Sequence, residues 1–300
     1  MPTRSEMRPS TAAALFAAAS AITFTLSQVS GKFLGAKLPF AELAFWRAAF
    51  GPLVLVGLWR AGVELGKPRD PWGYVIRCGL GVVALYAMMY ALTSGAPIAL
   101  VILIFTARVL LFPVAARLML GERSGARVWA AVAVGFVGVL VSSWPSLPKP
   151  ELQLGLAAAF AACVLTAGSQ TAVRRLTKTN TAGMIVLVYT LASVAATLPV
   201  AAFDWVTPPV AGWPWLVALG LFAVLAQWTA AAAFRRAPVG FLAPFDFLGV
   251  PTAAAIGYLL FGEVPGVYML VGGAITLLAA WVVVAAAKPA RQESAVPARA

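Results

Sequence analysis

Residues 96–122, APIALVILIFTARVLLFPVAARLMLGE, and residues 237–263, APVGFLAPFDFLGVPTAAAIGYLLFGE, decide how this chain folds. Each is long enough to cross a bilayer core, which takes about 20 apolar residues in helical form. Each opens on Ala-Pro (Ala96-Pro97, Ala237-Pro238) and closes on Gly-Glu (Gly121-Glu122, Gly262-Glu263). The interval from Pro97 to Pro238 equals the interval from Glu122 to Glu263. The same offset carries Thr25 onto Thr166 and Gly125 onto Gly266. Proline at the first helical position costs no hydrogen bond, and glycine suits a helix stop. Both ends of one helix therefore recur in register, and the chain reads as a duplication hinged on Trp144-Pro-Ser-Leu-Pro-Lys-Pro-Glu151.

The composition sets the solvent. Of 300 residues, 62% are hydrophobic and only 11% charged, with mean hydropathy +0.91. Soluble domains carry about 25% charged residues, so a water-facing surface cannot be covered. A soluble enzyme, a disordered chain and a fibre are excluded, and an all-α polytopic membrane protein remains. Ten spans are expected, at 11–33, 41–60, 72–93, 97–119, 126–144, 152–174, 181–203, 213–235, 238–261 and 265–287. The opening MPTRSEMRPS has no short apolar core and small-residue cleavage site after it, so the first span is kept. No histidine is present, which removes His-based catalysis, haem ligation and His-metal sites. Cys78 and Cys163 lie in apolar runs and read as small buried residues. No cofactor and no metal site is implied.

Lysine and arginine orient the spans. With the N-terminus in the cytoplasm, inner segments carry 17 of the 22 basic residues, Arg77 among them, and outer segments carry only Lys32, Lys37 and Lys149. Arg47 and Arg108 fall inside the bilayer. Trp144, Trp205, Trp213 and Trp215 mark outer span ends, and Trp59, Trp72 and Trp129 inner ones. The net charge of +12 is thus loop charge that orients a membrane protein, and no nucleic-acid partner is implied. The expected organisation is a cytoplasmic tail 1–10, a first five-span repeat 11–144, a periplasmic linker 145–151, a second repeat 152–287 and a cytoplasmic tail 288–300. Five is odd, so the second half enters the membrane upside down. Inverted repeats let two halves exchange conformations and so convert an outward-open state to an inward-open one. Duplication alone also yields such repeats, and some channels have them.

Phe40-Ala-Glu-Leu-Ala-Phe-Trp-Arg47, Leu120-Gly-Glu-Arg123, Ala243-Pro-Phe-Asp-Phe247 and Leu260-Phe-Gly-Glu-Val-Pro265 resemble the drug/metabolite transporter superfamily, in particular its bacterial ten-helix EamA-type exporters. The resemblance covers about residues 10–287. It implies two inverted five-helix repeats around a central cavity, spans 5 and 10 at the periphery, and spans 3–4 and 8–9 rocking as gates. It points to the amino-acid exporter branch in a bacterial inner membrane, with no oligomer required.

Ionisable residues inside a bilayer are functional candidates by default. Glu42 and Arg47 lie in the outer part of span 2 as candidates for coupling or for structural charge. The resemblance also places an arginine here, where it can tie helix ends together. Arg108 and Asp246 lie three residues apart in the repeat frame, on similar faces of the two gate spans. They read either as a latch in direct contact or as a zwitterion site, with Arg108 for a carboxylate and Asp246 for an ammonium. The neutral candidates are Gln28, Tyr86, Tyr90, Thr106, Thr166, Gln170, Gln227 and Trp228. Serine and threonine in bundles also serve as packing glue, whereas a buried amide is costly without a partner. Pro113, Pro244, Gly249 and Pro251 are hinge candidates; static curvature is the alternative.

The expected function is a secondary transporter exporting small polar metabolites, most simply amino acids, by alternating access. Organic cations or drugs as cargo, or a channel, are the alternatives. No phosphate-cradling Gly-Lys loop supports a primary pump, no nucleophile–base pair or metal cluster supports an enzyme, and no mid-span lysine supports a retinal receptor.

Overall fold

The computed structural model describes residues 11–60, 62, 66–120, 125–237 and 239–286. Both expected tails, Gly121-Glu122 and Pro238 lie outside the described residues. Among the described residues the regular structure is helical throughout. Six of the expected spans are single helices: α1 (Thr11–Gly35), α4 (Pro71–Thr93), α7 (Ala126–Ser143), α8 (Pro150–Leu176), α9 (Ala182–Phe203) and α10 (Trp213–Arg236). Span 10 is α13 (Val267–Ala286). The other three spans are broken: α2 (Phe40–Ala49) with α3 (Gly51–Arg60), α5 (Ile98–Thr106) with α6 (Arg108–Leu120), and α11 (Val239–Asp246) with α12 (Gly249–Phe261). Among the described residues nine helical stretches are long and apolar enough to cross a membrane. Span 2 is the tenth crossing, divided into two ten-residue helices at Phe50. Pro52 has no N–H to offer the Ala48 carbonyl, which favours a division there.

Packing follows the duplication. The chief helix pairs are α1 with α10, α4 with α8, and α7 with α13. The offset that carries Pro97 onto Pro238 also moves α1 onto α8 and α4 onto α10, so the first two pairs are one pair seen twice, with roles exchanged. The same shift moves α7 onto α13, which pair with each other. That contact is very close: a Cβ added to Gly272 would sit 2.3 Å from the Gly138 carbonyl oxygen, and Thr276 donates across to the Gly135 carbonyl at 3.3 Å. Small residues let helix backbones meet where lipid gives no hydrophobic drive. Large apolar side chains such as Leu118, Phe203, Leu259 and Leu278 are exposed on the outside of the bundle, where hydrocarbon is their solvent.

Local signals fix the helix ends. Asp70, at φ 65°, caps α4 by accepting from Gly73 N–H at 3.1 Å. Thr181 caps α9 through Met184 N–H at 3.2 Å. Gly262 takes the left-handed φ of 67° that a glycine stop requires, and Glu263 N–H reaches back to the Gly257 carbonyl at 3.1 Å. The expected linker 145–151 is a single 3-10 turn, Trp144–Ser146, and α8 already starts at Pro150.

The breaks in spans 4 and 9 also obey the offset. The first falls at Ala107 and the second at Phe247-Leu248, and the repeat frame carries Ala107 onto Leu248. In span 9, Pro251 cannot donate to the Phe247 carbonyl, which takes Val250 N–H at 3.1 Å instead, so the break is a tighter turn set by proline. In span 4 the break precedes Pro113, which lies inside α6. There Arg108 supplies a side-chain donor instead, Nη1 to the Phe105 carbonyl at 3.2 Å.

Candidate substrate cavity

One cavity lies among α1, α4, α8, α9, α10 and the two breaks, with Arg47 reaching it from α2. It holds about 930 Å³ of empty space, its mouth included. Its inner-end residues, Ser20, Phe112 and Phe234, lie towards the expected cytoplasmic side. The opposite end is closed. Lys32 Nζ donates to Glu263 Oε1 and to the Ala96 carbonyl at 2.6 Å, while Glu263 Oε2 accepts from Ile98 N–H at 2.8 Å. One carboxylate thus joins α1, the start of α5 and the end of α12. Elsewhere on the expected outer side, Trp46 packs against Phe50, Trp205 and Trp213.

Two polar regions face the cavity. At the breaks, Arg108 Nη2 meets Asp246 Oδ2 at 3.0 Å. The Arg108 guanidinium lies 4.4 Å from the Phe105 ring centre, and Phe105 stacks on Phe24 at 4.9 Å. Of the two readings of this pair, direct contact is the arrangement seen. The second region centres on Arg77, only 7% exposed. Arg77 donates to Ser169 Oγ at 2.6 Å and to Gln227 Oε1 at 2.7 Å, and lies 3.8 Å over the Tyr189 ring. Arg47 faces the same tyrosine.

The structure brings Arg108, Asp246, Thr106, Thr166, Gln170 and Gln227 together around this space, along with Arg47 and Gly249. It does not bring Gln28, Tyr86, Tyr90 or Trp228 to the cavity wall. Gln28 is fully buried in the outer half of α1, with neither amide atom hydrogen-bonded. Tyr86 donates to the Ala196 carbonyl at 3.2 Å, and Tyr86 and Tyr90 both stand edge-on to Phe40. Trp228 follows Gln227, but one residue turns a helix by about 100°, and its ring meets Phe16 instead. Glu42 is fully buried away from the cavity, accepting from Trp46 Nε1 at 2.9 Å and Val206 N–H at 3.0 Å. There it ties α2 to the segment after α9.

Arg77 corrects the sequence reading. Counted as an inner-loop charge, it is a buried wall of the cavity, and the sequence singles out neither Tyr189 nor Ser169 beside it. The signal is depth: Arg77 lies six residues past Pro71, about 9 Å along a helix at 1.5 Å per residue. That is too deep for a residue of the positive belt.

Inverted halves, broken helices at equivalent positions and a polar cavity between them define a polytopic transporter of small molecules. The comparisons agree. The description "EamA-like transporter family" matches residues 11–144 and again 153–285, and the chain belongs to that family. It is 31% identical over 277 residues to a riboflavin transporter of Rhizobium johnstonii, covering 89% of this chain and 88% of that one. It is 26% identical to a pseudopaline exporter of Pseudomonas aeruginosa, covering 88% and 93% of the two chains. Likeness to an S-adenosylmethionine uptake transporter of Rickettsia felis is 26%, over 90% and 92%. A crystal structure shares the fold with TM-score 0.66 at 23% identity, over 96% of this chain and 100% of that one. The protein is a multi-pass membrane transporter of small molecules, in keeping with a family of transporters rather than enzymes.

Proposed function

We propose that this protein is a secondary transporter that moves a small polar metabolite across the bacterial inner membrane by alternating access, with export of amino acids as its task. The observation that carries this reading is the Arg108–Asp246 pair, 3.0 Å apart between the breaks of spans 4 and 9. A broken helix frees backbone groups and gives a joint, and both joints meet at the charged pair. An amino acid offers a carboxylate to Arg108 and an ammonium to Asp246, so substrate replaces the pair charge for charge. The two half-spans then separate without stranding a charge in the bilayer. Pro113, Pro244, Gly249 and Pro251 are the proposed hinge residues beside these joints. Residues 11–144 and 152–287 are the proposed repeats, spans 3–4 and 8–9 are the proposed rocking gates, and both tails are proposed to be cytoplasmic.

The conformation supports an inward-facing state, because Lys32 and Glu263 close the expected outer end while the cavity lies towards Phe234 and Ser20. Relatives include both an exporter and an uptake transporter. A secondary carrier runs down whichever gradient is imposed, and loaded-vesicle counterflow tests this one. Protein reconstituted into liposomes preloaded with unlabelled amino acid should accumulate the labelled one, saturably and without ATP. An organic cation exchanging where no amino acid does would remove the amino-acid assignment and leave the carrier. Steady single-channel currents would remove the carrier.

A further inference from the structure

The cavity holds more positive charge than its own carboxylate balances. Its charged walls are Arg47, Arg77, Arg108 and Asp246, and Asp246 is engaged by Arg108. Neither Arg47 nor Arg77 has a carboxylate partner among the described residues. What holds Arg77 is neutral: a serine hydroxyl, a glutamine oxygen and a tyrosine ring face. These groups are themselves fixed. Ser169 donates its proton to the Arg77 carbonyl at 2.9 Å, which turns an oxygen lone pair to the guanidinium. Tyr189 donates to the Gly81 carbonyl at 3.1 Å. The clamp therefore orients Arg77 and leaves its charge uncompensated. The Nε atoms of both Arg47 and Arg77 are buried and have no hydrogen-bond partner.

Two cations fixed beside one tyrosine, each with an unused donor, are costly in a low-dielectric interior unless an anion completes them. The Nε–Nη edge of a guanidinium presents two parallel donors that match the oxygens of a carboxylate or phosphate. We propose that Arg47 and Arg77, set around Tyr189, form an oxyanion subsite for a carboxylate or phosphate of the transported molecule, so that the cargo is a net anion. This rests on the transport reading above and sharpens it. Arg108 and Asp246 take the amino-acid head, the second pair takes a further acidic group, and an acidic amino acid satisfies both.

Thermal unfolding of the purified full-length protein in detergent tests the subsite without transport. Titrants are L-glutamate, succinate, glycerol 3-phosphate, L-alanine and L-lysine, each at one ionic strength set with chloride. Saturable stabilisation by glutamate and succinate marks a carboxylate subsite, and stabilisation by glycerol 3-phosphate marks a phosphate one. Losing one charge-assisted donor costs roughly tenfold or more in affinity, so Arg47→Gln and Arg77→Gln should each weaken the active anion by about that factor. Arg77→Lys, which keeps the charge and loses the fork, should weaken it less. Equal stabilisation by alanine and lysine, no saturable effect of any anion, or wild-type affinity in both Gln variants would overturn the subsite. If a Gln variant does not fold, the wild-type titration still decides. Alanine counterflow without anion preference removes the subsite and leaves the carrier. Saturable anion stabilisation in a protein that exchanges no metabolite keeps the subsite and removes the carrier.

Discussion

Removing the two partners of the Arg108–Asp246 contact should not be symmetric. Arg108 has a side-chain exposure of 10% and Asp246 of 26%. Asp246→Asn leaves the guanidinium charged and buried, with only the Phe105 carbonyl and ring and a neutral amide oxygen as company. Breaking a fully buried pair costs roughly 3–5 kcal/mol, and because Asn keeps an acceptor the loss should fall to about 2 kcal/mol. Arg108→Gln leaves a carboxylate that already touches the open cavity, where water screens it, so the loss should be about 1 kcal/mol. The double variant strands no charge and should recover most of the larger loss, giving a coupling of at least about 1 kcal/mol. Equilibrium unfolding in mixed detergent, following tryptophan fluorescence, measures all four proteins. Amino-acid counterflow in the same four should fall in both single variants and stay low in the double, because stability returns there while the binding groups do not. Additive losses with no coupling would show that the 3.0 Å contact carries no energy. An Arg108→Gln loss larger than that of Asp246→Asn would refute the burial argument. Full counterflow in both single variants would remove the pair from binding altogether.

Four further outcomes are expected. The Asp70 carboxyl is held below its usual value of 3.8 by the Arg175 guanidinium, 2.5 Å away, and the Gly73 N–H; its contribution is complete above that value and fades as pH falls through the lowered one. Asp70→Asn should therefore be less stable than wild type at pH 7, and thermal scans of the two should converge as the pH falls below the usual value of 3.8 and through the lowered one. Glu263→Gln should loosen the outer closure, so that Thr166→Cys in a Cys78→Ala, Cys163→Ala background becomes labelled from outside by an impermeant thiol reagent; unchanged labelling would show that Lys32 and Glu263 are not what closes this end. Gly272→Ala places a methyl against the Gly138 carbonyl and should destabilise by about 1–3 kcal/mol or more, read by the same unfolding assay, and a neutral result would mean that the α7–α13 contact yields easily. In the cysteine-free background, Pro68→Cys should label only from the cytoplasmic side and Pro148→Cys only from the periplasmic side; labelling of position 68 from outside would invert the map.

The scaffold is legible in the sequence because its determinants are additive. Ten apolar runs and one constant offset predict the crossings and the duplication, and the glycine stop at Gly262 adopts the backbone angle its position requires. The site is only half legible. Arg108 and Asp246 announce themselves as charges at mid-span, and Gln170 and Gln227 as amides there. Gln28 and Trp228 also carry polar groups at mid-span, but which neighbour a side chain meets depends on helix rotation, and neighbouring residues point about 100° apart. Arg77 escapes for a different cause: a charge near a span end reads as belt until its depth is measured against the helix start, which Asp70 and Pro71 set. Breaks at Ala107 and Phe247-Leu248 are blurred because proline acts on a carbonyl four residues earlier, and because in span 4 an arginine side chain donates to the carbonyl at the break.

The duplicated scaffold and the unduplicated charges divide the work between them. In the gate spans, positions related by the offset keep backbone behaviour: the breaks of spans 4 and 9 coincide, and Thr25 and Thr166 stand on equivalent turns of α1 and α8, although the division of span 2 has no counterpart in α9. The same positions do not keep charge. The counterparts of Arg47, Arg77 and Arg108 are Val188, Ala218 and Gly249, and the counterpart of Asp246 is Phe105. All three cavity cations thus come from the first half, and the second half supplies Asp246, Ser169, Gln227 and Tyr189 around them. Symmetric backbones let two halves trade conformations at little cost, since a pseudo-two-fold rotation nearly carries the packing of one state onto that of the other. Asymmetric side chains mean that a cargo bound at the joint touches both halves and holds different groups on each. An empty cavity leaves Arg47 and Arg77 unbalanced, whichever side is open. A bound anion offsets that charge, and its contacts reach both halves, so the energy of filling the cavity is available to the movement that carries it across.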